Sequence, residues 1–77
     1  METKIRILTA DANQDFCRQM SLVAAAEGDM EIVGMAHDGI DALEKTLELQ
    51  PDMLLMELVL PKIDGLEVLR RLHSMNY

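Results

Sequence analysis

The sequence predicts an α/β fold, a parallel sheet with a helix after each strand, and three observations predict it. Short apolar or β-branched runs alternate with longer segments of helical periodicity. The connections between them are short and hold turn residues. The last apolar run, Met53-Leu54-Leu55-Met56, has no polar alternation, as expected of a strand covered on both faces. Alternating elements of this kind give parallel neighbours joined by right-handed crossovers.

Each element has its own signal. Ile5-Arg6-Ile7-Leu8-Thr9-Ala10 is short and β-branched and reads as a strand. Asp11-Ala12-Asn13 is a loop, with Asn13 a good helix N-cap. Phe16, Met20, Val23 and Ala24 then recur at helical spacing, which predicts a helix over 14–27, ended by Gly28 in the left-handed position. Glu31 to Ala36 is a second strand. Asp38-Gly39 is a turn, and Asp38 caps a helix whose buried stripe is Ile40, Leu43 and Leu47. Pro51 closes that region, because the residue before a proline disfavours helix. After the third strand, Asp64 caps a helix starting near Gly65 that buries Leu66, Leu69 and Leu72, with Val68 flanking.

Composition narrows the function classes. The 77 residues make one small domain, 1–77, whose core must be aliphatic and Met-rich: there are seven methionines, one phenylalanine, one tyrosine and no tryptophan. Methionines 30, 35, 53 and 56 read as core filler, or as an adaptable contact surface. A chain this short buries only roughly 60% of its unfolded surface, so its core is marginal without a partner or staple. The net charge of −7 argues against nucleic-acid binding, which needs clustered Lys and Arg, and Arg70-Arg71 reads as a solvated helix face. The lone Cys17 reads as a core thiol in a reducing compartment. No apolar run exceeds five residues, far from the ~20 that span a bilayer, so a cytoplasmic location without membrane contact is expected. His37 and His73 have no partner at metal-ligand spacing, and Asp38, Asp41 and Asp64 read as cap and turn residues.

The chemistry-bearing candidate lies at the end of the third strand. Met53 to Met56 runs into Glu57, then into Leu58-Val59-Leu60-Pro61-Lys62-Ile63-Asp64-Gly65, a loop closed by proline and an Asp-Gly turn. In open α/β sheets ligands bind outside the carboxyl ends of the strands, where Glu57 and Asp11 both stand. Two carboxylates could hold a divalent cation such as Mg²⁺, but only as a weak, mostly hydrated site. No cofactor is otherwise expected.

Several segments in the right order resemble response-regulator receiver domains of two-component signalling. These are Ala10-Asp11-Ala12-Asn13, Val33-Gly34-Met35-Ala36-His37-Asp38-Gly39-Ile40-Asp41-Ala42-Leu43, Pro51 to Glu57, and Pro61-Lys62-Ile63-Asp64-Gly65. Within the family the likeness is to receivers of sporulation master regulators. The resemblance implies a flavodoxin-like fold with strand order 2-1-3-4-5, of which this chain has the first three βα units in order 2-1-3. It also implies Mg²⁺-dependent phosphoryl transfer to one aspartate, from a histidine kinase or a phosphotransfer protein.

The chain departs from that pattern. The acceptor position holds Glu57, the second acid of the acidic loop is Ala12, and the fourth and fifth βα units with their switch hydroxyl and lysine lie outside the sequence. Lys62 sits in the loop after Glu57 and does not replace that lysine. The favoured reading is therefore a truncated, phosphorylation-incompetent receiver-like module of sporulation-type signalling, acting by protein contact or self-association. The alternative is a genuine phosphoacceptor receiver of a sporulation phosphorelay transcription regulator, of which this is a fragment. A third reading is an engineered half-domain. With the third strand at an edge, the fold is expected to be completed by homodimerisation or strand exchange through Met53, Leu55, Leu58, Val59, Leu66 and Leu69.

Overall fold

The computed structural model describes residues 3–77. The elements run β1 (Ile5–Ala10), α1 (Gln14–Glu27), β2 (Met30–Ala36), α2 (Gly39–Leu49), β3 (Met53–Met56) and α3 (Gly65–Ser74). The sheet is three-stranded and parallel, in the order β2-β1-β3. On β2, Val33 is an extra residue: Ile7 pairs with Ile32 and Leu8 with Gly34. Leu49 of α2 packs into the space that a side chain at Gly34 would take.

The caps form as the sequence requires. Asn13 accepts from the backbone N–H groups of Asp15 and Phe16, Asp38 from Asp41, and Asp64 from Glu67. Gly28 takes the left-handed conformation that ends α1. Before Pro51, Gln50 is left-handed too and ends α2.

Helix α1 lies on one face of the sheet, over β2 and β1, while α2 and α3 pack together on the other. The core on the α2/α3 face joins Ala10, Ala36, Ala42 and Leu60 to Leu43, Val68 and Leu72 through the half-buried Leu54 and Met56. Cys17 is buried, as expected of a core thiol. Tyr77, beyond α3, is tied to α2, its hydroxyl donating to the Thr46 carbonyl at 3.0 Å.

Three burial expectations need correction. Val68 is wholly buried with Leu72, while Leu66 and Leu69 are half exposed, because α3 turns its Val68–Leu72 stripe toward Leu43. Leu47 is likewise exposed, and Thr46 takes the buried place in α2. Strand β3 is covered on one face only. Leu54 and Met56 face α2 and α3, whereas Met53 and Leu55 are 50% and 42% exposed, because α1 reaches across β2 and β1 without covering β3.

Candidate functional site

The three strands end at one level and are laced together there. The Glu57 N–H donates to the Ala10 carbonyl at 2.9 Å, and the Asp11 N–H donates to the Ala36 carbonyl at 2.9 Å. Glu57 and Asp11 are thereby fixed as the first residues beyond adjacent strands. Together with Phe16, Leu55 and Met56 they line a shallow cleft of about 110 Å³.

The two acids are held differently. One carboxylate oxygen of Asp11 accepts from the Asn13 N–H at 2.8 Å, which sets the turn into α1. The Asp11 carbonyl lies 2.9 Å from His37 Nδ1 and 3.8 Å from the Cys17 thiol. A carbonyl only accepts, so Nδ1 carries the hydrogen in this arrangement. Glu57 is exposed, and among the described residues its carboxylate makes no hydrogen bond or ion pair. Ala12 is exposed and brings no oxygen ligand to the cleft.

The donor set decides how well a hard cation is served. Mg²⁺ demands near-octahedral oxygen coordination, commonly anchored by protein carboxylates. Here two carboxylates line the cleft, one with an oxygen already engaged by backbone, and no group of three or more His, Cys, Asp or Glu is placed to hold a metal among the described residues. These residues do not form a dedicated Mg²⁺ cage.

The loop after Glu57 is clamped at both ends. Gly65 donates to the Leu58 carbonyl at 2.7 Å, and a Cβ there would lie 2.7 Å from the Glu57 carbonyl. Gly39, at the start of α2, donates to the Pro61 carbonyl at 3.0 Å, and a Cβ on it would lie 1.8 Å from the Ile63 carbonyl. Leu60 is buried against Ala10, Ala36 and Ala42. Lys62, with φ of 72°, turns its ammonium to Asp38 at 3.4 Å rather than to the cleft. The hydrogen bond from the Asp41 N–H holds the Asp38 carboxyl below its ordinary value; burial opposes it next, and the Lys62 ammonium adds to the lowering.

Sequence reasoning singled out Asp11 and Glu57, and the fold brings them together. It left His37 as a surface residue and gave Lys62 no partner. The pairing of His37 with Asp11 depends on the register of β2 against β1, which no local pattern displays. The proposed interface residues Leu58 and Val59 follow Glu57 in the loop and are 59% and 80% exposed, while Leu66 and Leu69 lie on α3.

A parallel β2-β1-β3 sheet with an acid beyond β1, another beyond β3, and a Pro-x-x-Asp-Gly loop between β3 and α3 defines the receiver class. The chain matches the response regulator receiver domain family over residues 7–77, and it belongs to that family. It is 50% identical over 72 residues to protein-glutamate methylesterase/protein-glutamine glutaminase 5 of Myxococcus xanthus, covering 91% of this chain and 20% of that protein. Among solved structures it superposes on the response regulator domain of Thermotoga maritima CheB with a TM-score of 0.87 at 32% identity, covering 92% of this chain and 53% of that one. It also superposes on the signal receiver domain of the response regulator NarL from Mycobacterium tuberculosis with a TM-score of 0.90 at 28% identity, covering 96% of this chain and 60% of that one. The chain thus spans 20% of the curated relative and little more than half of each solved receiver. No helix among the described residues is long and apolar enough to cross a membrane.

Proposed function

We propose that this chain is a receiver module of two-component signalling that accepts phosphate poorly or not at all and works by protein contact in the cytoplasm. The observation that supports the reading is the acceptor position itself. Glu57 places its carboxylate one methylene further out than an aspartate, facing a single second acid, Asp11, where a neighbouring acid would be Ala12. In-line attack on phosphorus is sensitive to about 1 Å of misplacement, on the order of 10²-fold in rate. The charge of phosphate meeting carboxylate must also be offset by a cation, for which the donor set is poor.

The alternative reading, a working phosphoacceptor within a longer protein, is favoured by the exposure of the Glu57 carboxylate at an open cleft. One experiment separates the two: incubation with a small-molecule phosphodonor and Mg²⁺, read by intact mass. We expect no stoichiometric phosphate. An acid-labile adduct on Glu57 would establish the second reading.

The methylesterase/glutaminase activity in the name of the Myxococcus protein belongs to a chain five times as long as the stretch matched, and we propose no enzymatic activity here. A histidine kinase or phosphotransfer protein is the partner class consistent with the family. A narrower sporulation assignment draws no support from these chemotaxis- and NarL-type relatives. Self-association through the exposed Met53, Leu55, Leu66 and Leu69 is one form such contact takes in this reading.

A further inference from the structure

Strand β2 lies at the opposite edge of the sheet from β3 and pairs with β1 alone among the described residues. In the strand order 2-1-3-4-5, further strands add beyond β3 and β2 remains an edge. Such an edge offers backbone donors and acceptors to any extended chain. The strand itself, Met30-Glu31-Ile32-Val33-Gly34-Met35-Ala36, has one charge in seven residues and no proline, the composition of a segment that pairs readily. Two features oppose pairing. Val33 is the extra residue against β1, and a bulge bends and twists an edge away from a flat partner. The second feature is Lys45, the one cation on α2 or β2. Leu49 seats over Gly34 and brings α2 down onto β2, and Lys45 lies one turn earlier on the same helix face. Its ammonium donates to the Met35 carbonyl and pairs with the Asp41 carboxylate at 3.0 Å. The direction of that carbonyl decides what the contact does. Ala36 turns its own carbonyl inward, to the Asp11 N–H beyond β1. Successive residues of a strand turn their backbone groups to opposite sides, so the Met35 carbonyl points outward, where another strand would pair.

We infer that β2 is a latent pairing edge for a second copy of this chain, and that Lys45 holds it closed. The ammonium occupies the acceptor that a ladder hydrogen bond to a new strand would use. It also carries a full charge into the space where that strand would lie. A strand entering there must strip the ammonium of its carbonyl, its carboxylate and its remaining water, and an unpaired buried charge is costly. The occupant is a second copy because a two-fold axis sets β2 against β2 antiparallel, with every outward group meeting its equivalent, and closes the contact at two chains. The exposed apolar residues on and beyond β3 lie at the other edge of the sheet, so the inference stands whether or not they make contacts. It is equally independent of whether Glu57 accepts phosphate.

The test compares the whole 77-residue chain with its Lys45→Met variant, which keeps an unbranched apolar stem and loses the donor and the charge. Sedimentation reads the association, and amide hydrogen exchange locates it. The salt is physiological, so that the net charge of −7 is screened beyond about 8 Å. The expected result is self-association at least about tenfold tighter in Lys45→Met, with new protection confined to amides of Met30–Ala36. Lys45→Arg keeps a charged donor and should behave as the native chain. Asp41→Asn removes the ion pair but leaves the ammonium on its carbonyl, and should also behave as the native chain. Lys45→Gln, shorter and uncharged, replaces Lys45→Met if circular dichroism shows that variant unfolded. Native mass and native β2 exchange in the folded neutral variant overturn the inference. So does equal association of Lys45→Arg, or new protection that falls on Met53–Met56 instead of β2.

Discussion

Thr9 is wholly buried on β1, and its hydroxyl is the one buried side-chain polar atom without a hydrogen-bond partner among the described residues. A buried orphan of this kind costs about 1–3 kcal/mol relative to its hydrated state. Valine has the same branched shape without the hydroxyl, so Thr9→Val should stabilise the fold by about 1 kcal/mol. A higher urea midpoint at unchanged m-value is the expected signature. Asp38 has a pH signature of its own. Its folded value lies below the ordinary 3.8, so its contribution is complete above 3.8 and is lost as pH falls through the lower folded value. Asp38→Asn keeps the cap oxygen but cannot titrate. The variant should show a flatter acid limb below 3.8 in urea titrations repeated across pH. At the cleft, Glu57→Asp alone should not restore phosphorylation. Glu57→Asp with Ala12→Asp should tighten Mg²⁺ binding by adding an oxygen ligand, and an unchanged Mg²⁺ titration would show that the strand ends are not assembled as described. The caps were legible in the sequence because each is a local pattern, Asn13, Asp38 and Asp64 just before a helix. The orphaned Thr9 and the His37–Asp11 contact were not legible, since both depend on what the fold brings across from elsewhere.

Among the elements, the β3–α3 loop is pinned by two backbone hydrogen bonds, from Gly39 to Pro61 and from Gly65 to Leu58. Its route over the start of α2 is possible only because position 39 has no side chain. Gly39→Ala would drive a Cβ into the Ile63 carbonyl, a backbone atom that cannot swing aside, and would break the Gly39–Pro61 hydrogen bond. Overpacking of this kind typically costs about 1–3 kcal/mol. The expected outcome is a loss in that range by urea denaturation, with faster proteolysis between 58 and 64. The order and type of all six elements could be read from periodicity and turn residues. Which helix stripe faces inward in α3 could not, because Leu66, Val68, Leu69 and Leu72 are all apolar and only the position of Leu43 selects Val68 and Leu72.

For the whole molecule, extents of 34 × 28 × 15 Å describe a slab, thin for its breadth. A domain of this size has on the order of 4–12 kcal/mol of stability at the usual value per residue. Leu43 links α2 to Val68 and Leu72 across the main core, and Leu43→Ala should cost about 2–5 kcal/mol. That is a large share of the total, so thermal unfolding followed by circular dichroism should begin near ambient temperature in this variant. The strand order agrees with the reading drawn from the resemblance. Uniform burial of β3 was wrongly inferred from its composition, because four apolar residues in a row cannot say whether a helix covers the second face.

The tether between Tyr77 and Thr46 gives the molecule an optical label. With one tyrosine and no tryptophan in these 77 residues, their intrinsic emission comes from Tyr77, and a hydrogen bond from the phenol to a carbonyl quenches that emission. Loosening of the last turn from α2 would brighten the signal while the far-ultraviolet spectrum of the helices stayed constant. Release of Tyr77 from α2 can thus be timed separately from collapse of the sheet, without attaching a dye.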